Sequence, residues 1–85
     1  MRQLEEVGQA ISAGDAEAVA QRSHKLVGLV SAFSTVCARE LARLEEMGLN
    51  SDLTGASEQY RIAREAMERL GPLLQGLEIE KLRGA

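Results

Sequence analysis

The residue best suited to chemistry in this 85-residue chain is its single histidine, His24, in the segment SHKLVGLVSAFS (residues 23–34). Imidazole is largely neutral at pH 7, so an exposed histidine can act as a nucleophile when a partner delivers a reactive electrophile. A hydrolase needs a nucleophile, a base and an orienting group together, and neither Ser23 nor Ser31 has such a set. An independent enzyme is therefore the least favoured interpretation.

Other reactive groups are few. The single cysteine, Cys37, lies thirteen positions from His24 with no CxxC or HxxxH companion, so the sequence predicts no metal site and no internal disulfide. We expect Cys37 to be a small buried hydrophobic residue. Glu45 and Glu46 are adjacent carboxylates, but neighbouring helical positions diverge, so both are expected to face solvent as ordinary helix charges.

Composition excludes several classes of partner. The formal net charge is −3, and acidic and basic residues are interspersed, which leaves no basic face for nucleic acid or for anionic lipid. The longest nearly apolar run, residues 26–33, is far shorter than the roughly 20 residues of a spanning helix. The N-terminal segment MRQLEEVGQA is too acidic for a signal peptide. We therefore expect a cytoplasmic domain without direct membrane contact.

The apolar residues recur at spacings of three and four, which predicts an all-α chain. Asp15 is the predicted N-cap of the second helix, and Gly71 and Pro72 are expected to kink or break the last one. Four apolar stripes are visible, over residues 4–11, 16–33, 37–47 and 60–77. The sequence thus predicts one domain over residues 1–85, folded as an antiparallel up-down four-helix bundle.

Helical spacing also predicts which way His24 points. At about 100° per residue, His24 falls opposite the core face of its helix. That core face is formed by Ala16, Val19, Ser23, Leu26, Val30 and Phe33. The neighbours of His24 are small or modest in size, and Val27 lies between them and the core. We predict that they form a bare exposed strip: Glu17, Ala20, Gln21, Gly28 and Ser31.

Gly28 lies one turn after His24 in the middle of the predicted helix. A glycine there destabilises a helix by roughly 0.5–1 kcal/mol relative to alanine, which calls for a reason. Close approach of another molecule to the imidazole would supply one. Close helix packing, or no reason at all, are the alternatives.

These residues resemble the signature of the histidine phosphotransfer (HPt) domains of multistep bacterial phosphorelays. The segment GDAEAVAQRSHKLVGLVSAF (residues 14–33) has a small residue before His24, then Leu26 and Gly28, and a later hydrophobic Phe33. The segment LARLEEMG (residues 41–48) is similar to the Leu-Glu pair of the family's next helix. The similarity spans roughly residues 7–70 and is specific only around His24.

The resemblance implies that His24 accepts a phosphoryl group from an aspartyl phosphate on one receiver domain and passes it to a response regulator. Gly28 matches the family's glycine that gives access to the histidine. The resemblance also implies a carrier within a sensor histidine kinase system, such as the cytoplasmic part of a membrane-anchored hybrid kinase. It implies no cofactor in this chain, because the receiver holds the magnesium ion.

Two departures from the family concern side chains. The family's usual lysine, three residues after the histidine, is Val27 here. The nearest basic residue, Lys25, lies about 100° around the helix and reaches the site only from its edge, and Arg22 projects almost oppositely. Ser34 stands where the family often has glycine. A degenerate HPt domain that binds a receiver without accepting phosphate is therefore an alternative.

A third departure is length, because family members commonly have a segment before the helix that begins near Met1. Either Met1 is not the native start, or Leu4 and Val7 need cover from another subunit, so we expect a homodimer or low stability. A noncatalytic helical docking or dimerisation module, with His24 incidental, is the other alternative.

Overall fold

The computed structural model describes residues 2–70, and every regular element among them is a helix. This confirms the all-α prediction. The helices pack as a four-helix bundle in which α2 lies against α1 and α3, and α4 lies against α3 and α1. The predicted kink at Gly71 and Pro72 lies outside the described residues. The helices are α1 (Arg2–Ser12), α2 (Ala16–Val30), α3 (Thr35–Leu49) and α4 (Ala56–Glu68).

Polar side chains define where α2 and α3 begin. The predicted N-cap at Asp15 is confirmed, because its carboxylate accepts a hydrogen bond of 3.1 Å from the backbone N–H of Ala18. The hydroxyl of Ser34 accepts from the backbone N–H of Cys37 at 3.2 Å. Each cap satisfies an amide that the first helical turn leaves unpaired. The two caps thereby fix the start of α2, which carries His24, and of α3, which packs against it.

The second helix is shorter than the sequence indicates, because it ends at Val30 rather than near Phe33. The backbone N–H groups of Phe33 and Ser34 both donate to the carbonyl of Val30 and close the last turn. Ser34 then adopts an extended conformation that starts α3. Phe33 is consequently 45% exposed, and its placement on the core face was wrong.

The core is built from apolar residues of all four helices. Leu4 is 7% exposed and Val7 is fully buried, so the chain itself covers the stripe of α1. The expectation that these residues need a second subunit is wrong, since α2 and α4 both pack against α1. Cys37 is buried as predicted. None of the described helices is both long and apolar enough to cross a membrane.

The backbones of α2 and α3 approach each other closely at Gly48. A Cβ atom on Gly48 would lie 2.5 Å from the backbone nitrogen of Ala20 and 2.6 Å from the carbonyl oxygen of Ala16. The apolar stripe of this segment ends at residue 47, but α3 continues through Gly48 to Leu49. Gly48 therefore serves as a contact between two helices rather than as a stop.

Ser23, the residue before His24, has a fully buried hydroxyl with no hydrogen-bond partner in the part of the chain that the structure describes. A buried hydroxyl without a partner is unfavourable because it has lost its hydrogen bonds to water. We expect Ser23→Ala to raise the free energy of unfolding by about 1 kcal/mol. Urea denaturation followed by circular dichroism measures the change, and a destabilised variant would contradict this account of Ser23.

Candidate functional site

His24 lies near the middle of α2, and its side chain is 77% exposed. On the opposite side of the helix, Ser23, Leu26 and Val30 have no exposed surface. The prediction that His24 points away from the core is thus confirmed. Because the bundle holds α2 by its buried face, the imidazole is presented to solvent on a rigid helix rather than on a loop.

The imidazole is not alone on that surface, because Glu45 of α3 contacts it. Nδ1 of His24 lies 2.7 Å from Oε2 of Glu45, whose side chain is only 22% exposed. The expectation that Glu45 is an ordinary solvent-facing charge is therefore wrong. Its neighbour Glu46 is exposed, as predicted.

The reason for the contact is the register of α3 on α2. Gly48 lies against Ala20, so Glu45, three residues before Gly48, faces His24, four residues after Ala20. The sequence could have indicated that Glu45 borders the buried face of α3, although not which residue of α2 it meets. Leu41, Leu44 and Gly48 form the buried stripe of α3, and Glu45 borders that stripe at helical spacing.

The pairing with Glu45 selects which ring nitrogen of His24 is free to react. An ionised carboxylate only accepts hydrogen bonds, so Nδ1 must carry the proton and donate it to Oε2. In the neutral ring the lone pair then lies on Nε2. No residue from 2 to 70 forms a hydrogen bond with Nε2. The site therefore presents an oriented, accessible nitrogen nucleophile.

The predicted strip around His24 is present with one correction. Glu17 and Gln21 are exposed, and the Gln21 amide donates to the Glu17 carboxylate at 3.3 Å. Ser31 is also exposed, and its hydroxyl donates to the carbonyl of Gly28 at 3.3 Å. Ala20, however, is only 7% exposed. It does not belong to the exposed strip because Gly48 packs against its backbone.

Gly28 faces open space. An ideal Cβ built on it meets nothing within 4 Å among the described residues. Close helix packing is therefore not what Gly28 serves within residues 2–70. The glycine leaves a gap in the surface one turn from His24, where a partner could approach the imidazole closely.

The cation that a phosphoryl group would need is not aligned with His24. Val27 is half-buried, as predicted, and carries no charge. Arg22 projects toward α1, where its guanidinium forms an ion pair of 3.0 Å with Glu6. Lys25 is exposed and lines a groove with Gln3 of α1 and with Glu6, so it lies on the α1 side of α2, away from Glu45.

Metal ligands are not clustered here. Within residues 2–70, no group of three or more His, Cys, Asp or Glu side chains is close enough together to hold a metal ion.

One exposed apolar residue on the helix that carries Glu45 was missed from the sequence. Leu49 is 70% exposed and lies one turn after Glu45, on the same face of α3. Phe33 and Val36, also exposed, lie at the opposite end of the α2–α3 pair. Leu49 thus adds an exposed apolar side chain to the face of α3 that carries Glu45.

Comparison of the chain with known protein families, with curated proteins and with solved structures found no match. The functional interpretation therefore depends on the residues around His24 and on their geometry.

Proposed function

We propose that this chain is a phosphorelay carrier of the HPt type. Nε2 of His24 accepts a phosphoryl group from an aspartyl phosphate on a receiver domain and passes it to a response regulator. The observation that supports this proposal is the hydrogen bond of 2.7 Å between Nδ1 of His24 and Glu45. It leaves the Nε2 lone pair accessible on a ring that is 77% exposed.

The transfer requires little of this chain beyond positioning. As the Nε2–P bond forms, the P–O bond to the aspartate breaks, and its electron pair leaves with the aspartate carboxylate. The imidazole ring gains positive charge during this step, and the Glu45 carboxylate stabilises that charge. The reverse step, with a second receiver, returns the nitrogen lone pair. The receiver supplies the magnesium ion, so no cofactor of this chain takes part.

The receiver would dock on the exposed strip of α2 and on the adjoining part of α3. Gln21, Gly28 and Ser31 flank His24 along α2, with Glu17 further back and Lys25 at the edge. Leu49 provides an apolar contact on α3. Since Val27 places no ammonium group beside the phosphoryl group, the cation that neutralises it would come from the receiver.

The proposed architecture is the antiparallel up-down bundle expected for such a carrier, in a cytoplasmic part of a sensor kinase. Support comes from the register of α2 on α3. Ala20 lies against Gly48 and His24 against Glu45, so residue numbers rise along one helix as they fall along the other.

The test is phosphoryl transfer from phosphorylated receiver domains in the presence of magnesium. A transferred phosphoryl group on this chain would be acid-labile and base-stable, as a phosphohistidine is. Because the chain has one histidine, mass spectrometry of the peptide containing His24 locates the label without a variant. A label that is base-labile, or that maps to another peptide, would contradict the proposal.

A receiver-binding module without phosphotransfer is the second candidate, favoured by Val27 at the position of the family's lysine. It predicts stable binding of a receiver and no label. Absence of both binding and label would instead indicate a helical docking or dimerisation module in which His24 is incidental.

Gly28→Ala is expected to change stability and phosphotransfer in opposite directions. A Cβ at this position meets no atom of residues 2–70, so alanine should raise the free energy of unfolding by about 0.5–1 kcal/mol. The same methyl group would fill the gap beside His24 and slow transfer from a docked receiver. Thermal melting and the initial rate of labelling measure the two effects. A stabilised variant with an unchanged rate would show that the receiver does not use this gap.

A further inference from the structure

We propose that Gly48 is a positioning residue, whose lack of a side chain holds α3 close enough to α2 for Glu45 to reach Nδ1 of His24. Its consequence for phosphoryl transfer depends on the proposed function, but the positioning itself does not. Gly48 touches neither nitrogen of His24 and acts only through Glu45.

The argument begins with distances between the backbones. A Cβ on Gly48 would lie 2.5 Å from the nitrogen and 2.9 Å from the Cα of Ala20, and 2.6 Å from the carbonyl oxygen of Ala16. All three are backbone atoms of α2, so no side chain can rotate away to make room. Ordinary contact begins at 3.4 Å, so alanine would force the helices apart locally by about 1 Å.

A separation of that size matters for the contact one turn away. The distance between Nδ1 of His24 and Oε2 of Glu45 is 2.7 Å, and a hydrogen bond is lost by about 3.6 Å. Glu45 lies three residues before Gly48 on the same helix, so any displacement of α3 at Gly48 is transmitted directly to it. The contact at Gly48 and the hydrogen bond between His24 and Glu45 therefore form one structural unit.

The test is the tautomer of His24, read from its ring ¹⁵N chemical shifts at a pH where the ring is neutral. Wild type should show a proton-bearing Nδ1, whereas Glu45→Ala should revert to the Nε2–H tautomer that predominates in free histidine. We expect the ring ¹⁵N shifts of Gly48→Ala to move from the wild-type values at least half of the way to those of Glu45→Ala. Gly48→Ala should also slow phosphoryl transfer by about 10- to 100-fold, the effect of a displacement near 1 Å.

Gly8→Ala is the matched control. It introduces the same methyl group at another contact between helices, where a Cβ would lie 2.9 Å from the Tyr60 ring, on the α1–α4 side of the bundle. Its ¹⁵N shifts should equal those of wild type. A folded Gly48→Ala variant with wild-type shifts would overturn the proposal, since Gly48 would then serve packing alone.

Glu45→Asp covers the case in which Gly48→Ala does not fold. It shortens the reach of the carboxylate by one methylene without altering the contact between the helices. If the present spacing is required, this variant loses the Nδ1–H tautomer, and retention of that tautomer would overturn the proposal. Neither ¹⁵N measurement needs a receiver, so failure of the positioning role is distinguishable from failure of the phosphorelay function.

Discussion

His24→Gln is expected to abolish phosphoryl labelling of the chain completely while leaving its fold intact. Glutamine is polar and of similar size, but its amide nitrogen has no lone pair available for attack on phosphorus. The His24 side chain is 77% exposed, so the substitution should change the free energy of unfolding by less than about 0.5 kcal/mol. Autoradiography after incubation with a phosphorylated receiver measures the label, and chemical denaturation measures the stability.

A comparison with Arg64→Gln controls for effects of surface substitution in general. Arg64 is an exposed residue of α4, and its replacement by glutamine should have no effect on labelling of the chain. Receiver binding by the His24→Gln variant, measured by calorimetry, should persist because the other residues of the exposed strip are unchanged. Residual base-stable label on His24→Gln would assign the phosphoryl group to another residue and contradict the proposal.

The local features of the fold could be predicted from sequence because they depend on neighbouring residues. Apolar spacing identified four helical stripes, and the acceptor oxygen of Asp15 identified the start of α2. The same spacing placed His24 on the exposed side of its helix. The end of α2 was missed, because closure of a last turn at Val30 depends on the cap that Ser34 forms for the next helix.

The partner of His24 could not be predicted because it depends on contact between two helices. Glu45 lies 21 positions from His24, and its orientation follows from the approach of Gly48 to Ala20. The same approach buries Ala20, which helical spacing alone placed beside His24 on the exposed strip. A single helix determines only which residues share a face. The distance to the next helix decides which of them are covered.

If the chain is the proposed carrier, the charges around His24 would favour transfer over storage of the phosphoryl group. A carboxylate lies 2.7 Å from one ring nitrogen, and Val27 places no cation on the same side of the helix. Glu45 would stabilise the ring, but the phosphoryl oxygens on Nε2 would meet little positive charge from this chain after the receiver and its magnesium ion depart. In this proposal the receiver would complete the site, and the phosphorylated chain should be a ready donor to the next receiver.

Removal of the Glu45 carboxylate should slow transfer by about 10-fold in Glu45→Gln and by up to about 100-fold in Glu45→Ala, comparable to losing a carboxylate that orients a metal-bound imidazole. The amide oxygen of glutamine can still accept from Nδ1–H but without a negative charge, whereas alanine removes the acceptor altogether. Stability should fall by no more than about 1 kcal/mol, because the hydrogen bond between His24 and Glu45 is largely exposed on its histidine side. Rapid-quench kinetics with a phosphorylated receiver measures the rates.

Glu46→Gln is the matched control for this loss. It removes the same charge from the adjacent position of α3, where the side chain is exposed, and it should transfer at the wild-type rate. An equal loss in Glu46→Gln would indicate a general effect of charge on receiver docking. A wild-type rate in Glu45→Ala would show that Nε2 needs no orienting carboxylate.

The forward and reverse rates together identify the step at which Glu45 acts. The ring gains positive charge as the Nε2–P bond forms, and with the proton still on Nδ1 it keeps that charge in the phosphohistidine. The Glu45 carboxylate therefore stabilises the phosphorylated ring more than the free one. Stabilisation confined to the transition state would change both rates by the same factor and leave the equilibrium constant unchanged. We therefore expect Glu45→Ala to slow phosphorylation of His24 more than its dephosphorylation by a second receiver. Equal losses of both rates would instead mean that Glu45 acts in the transition state alone.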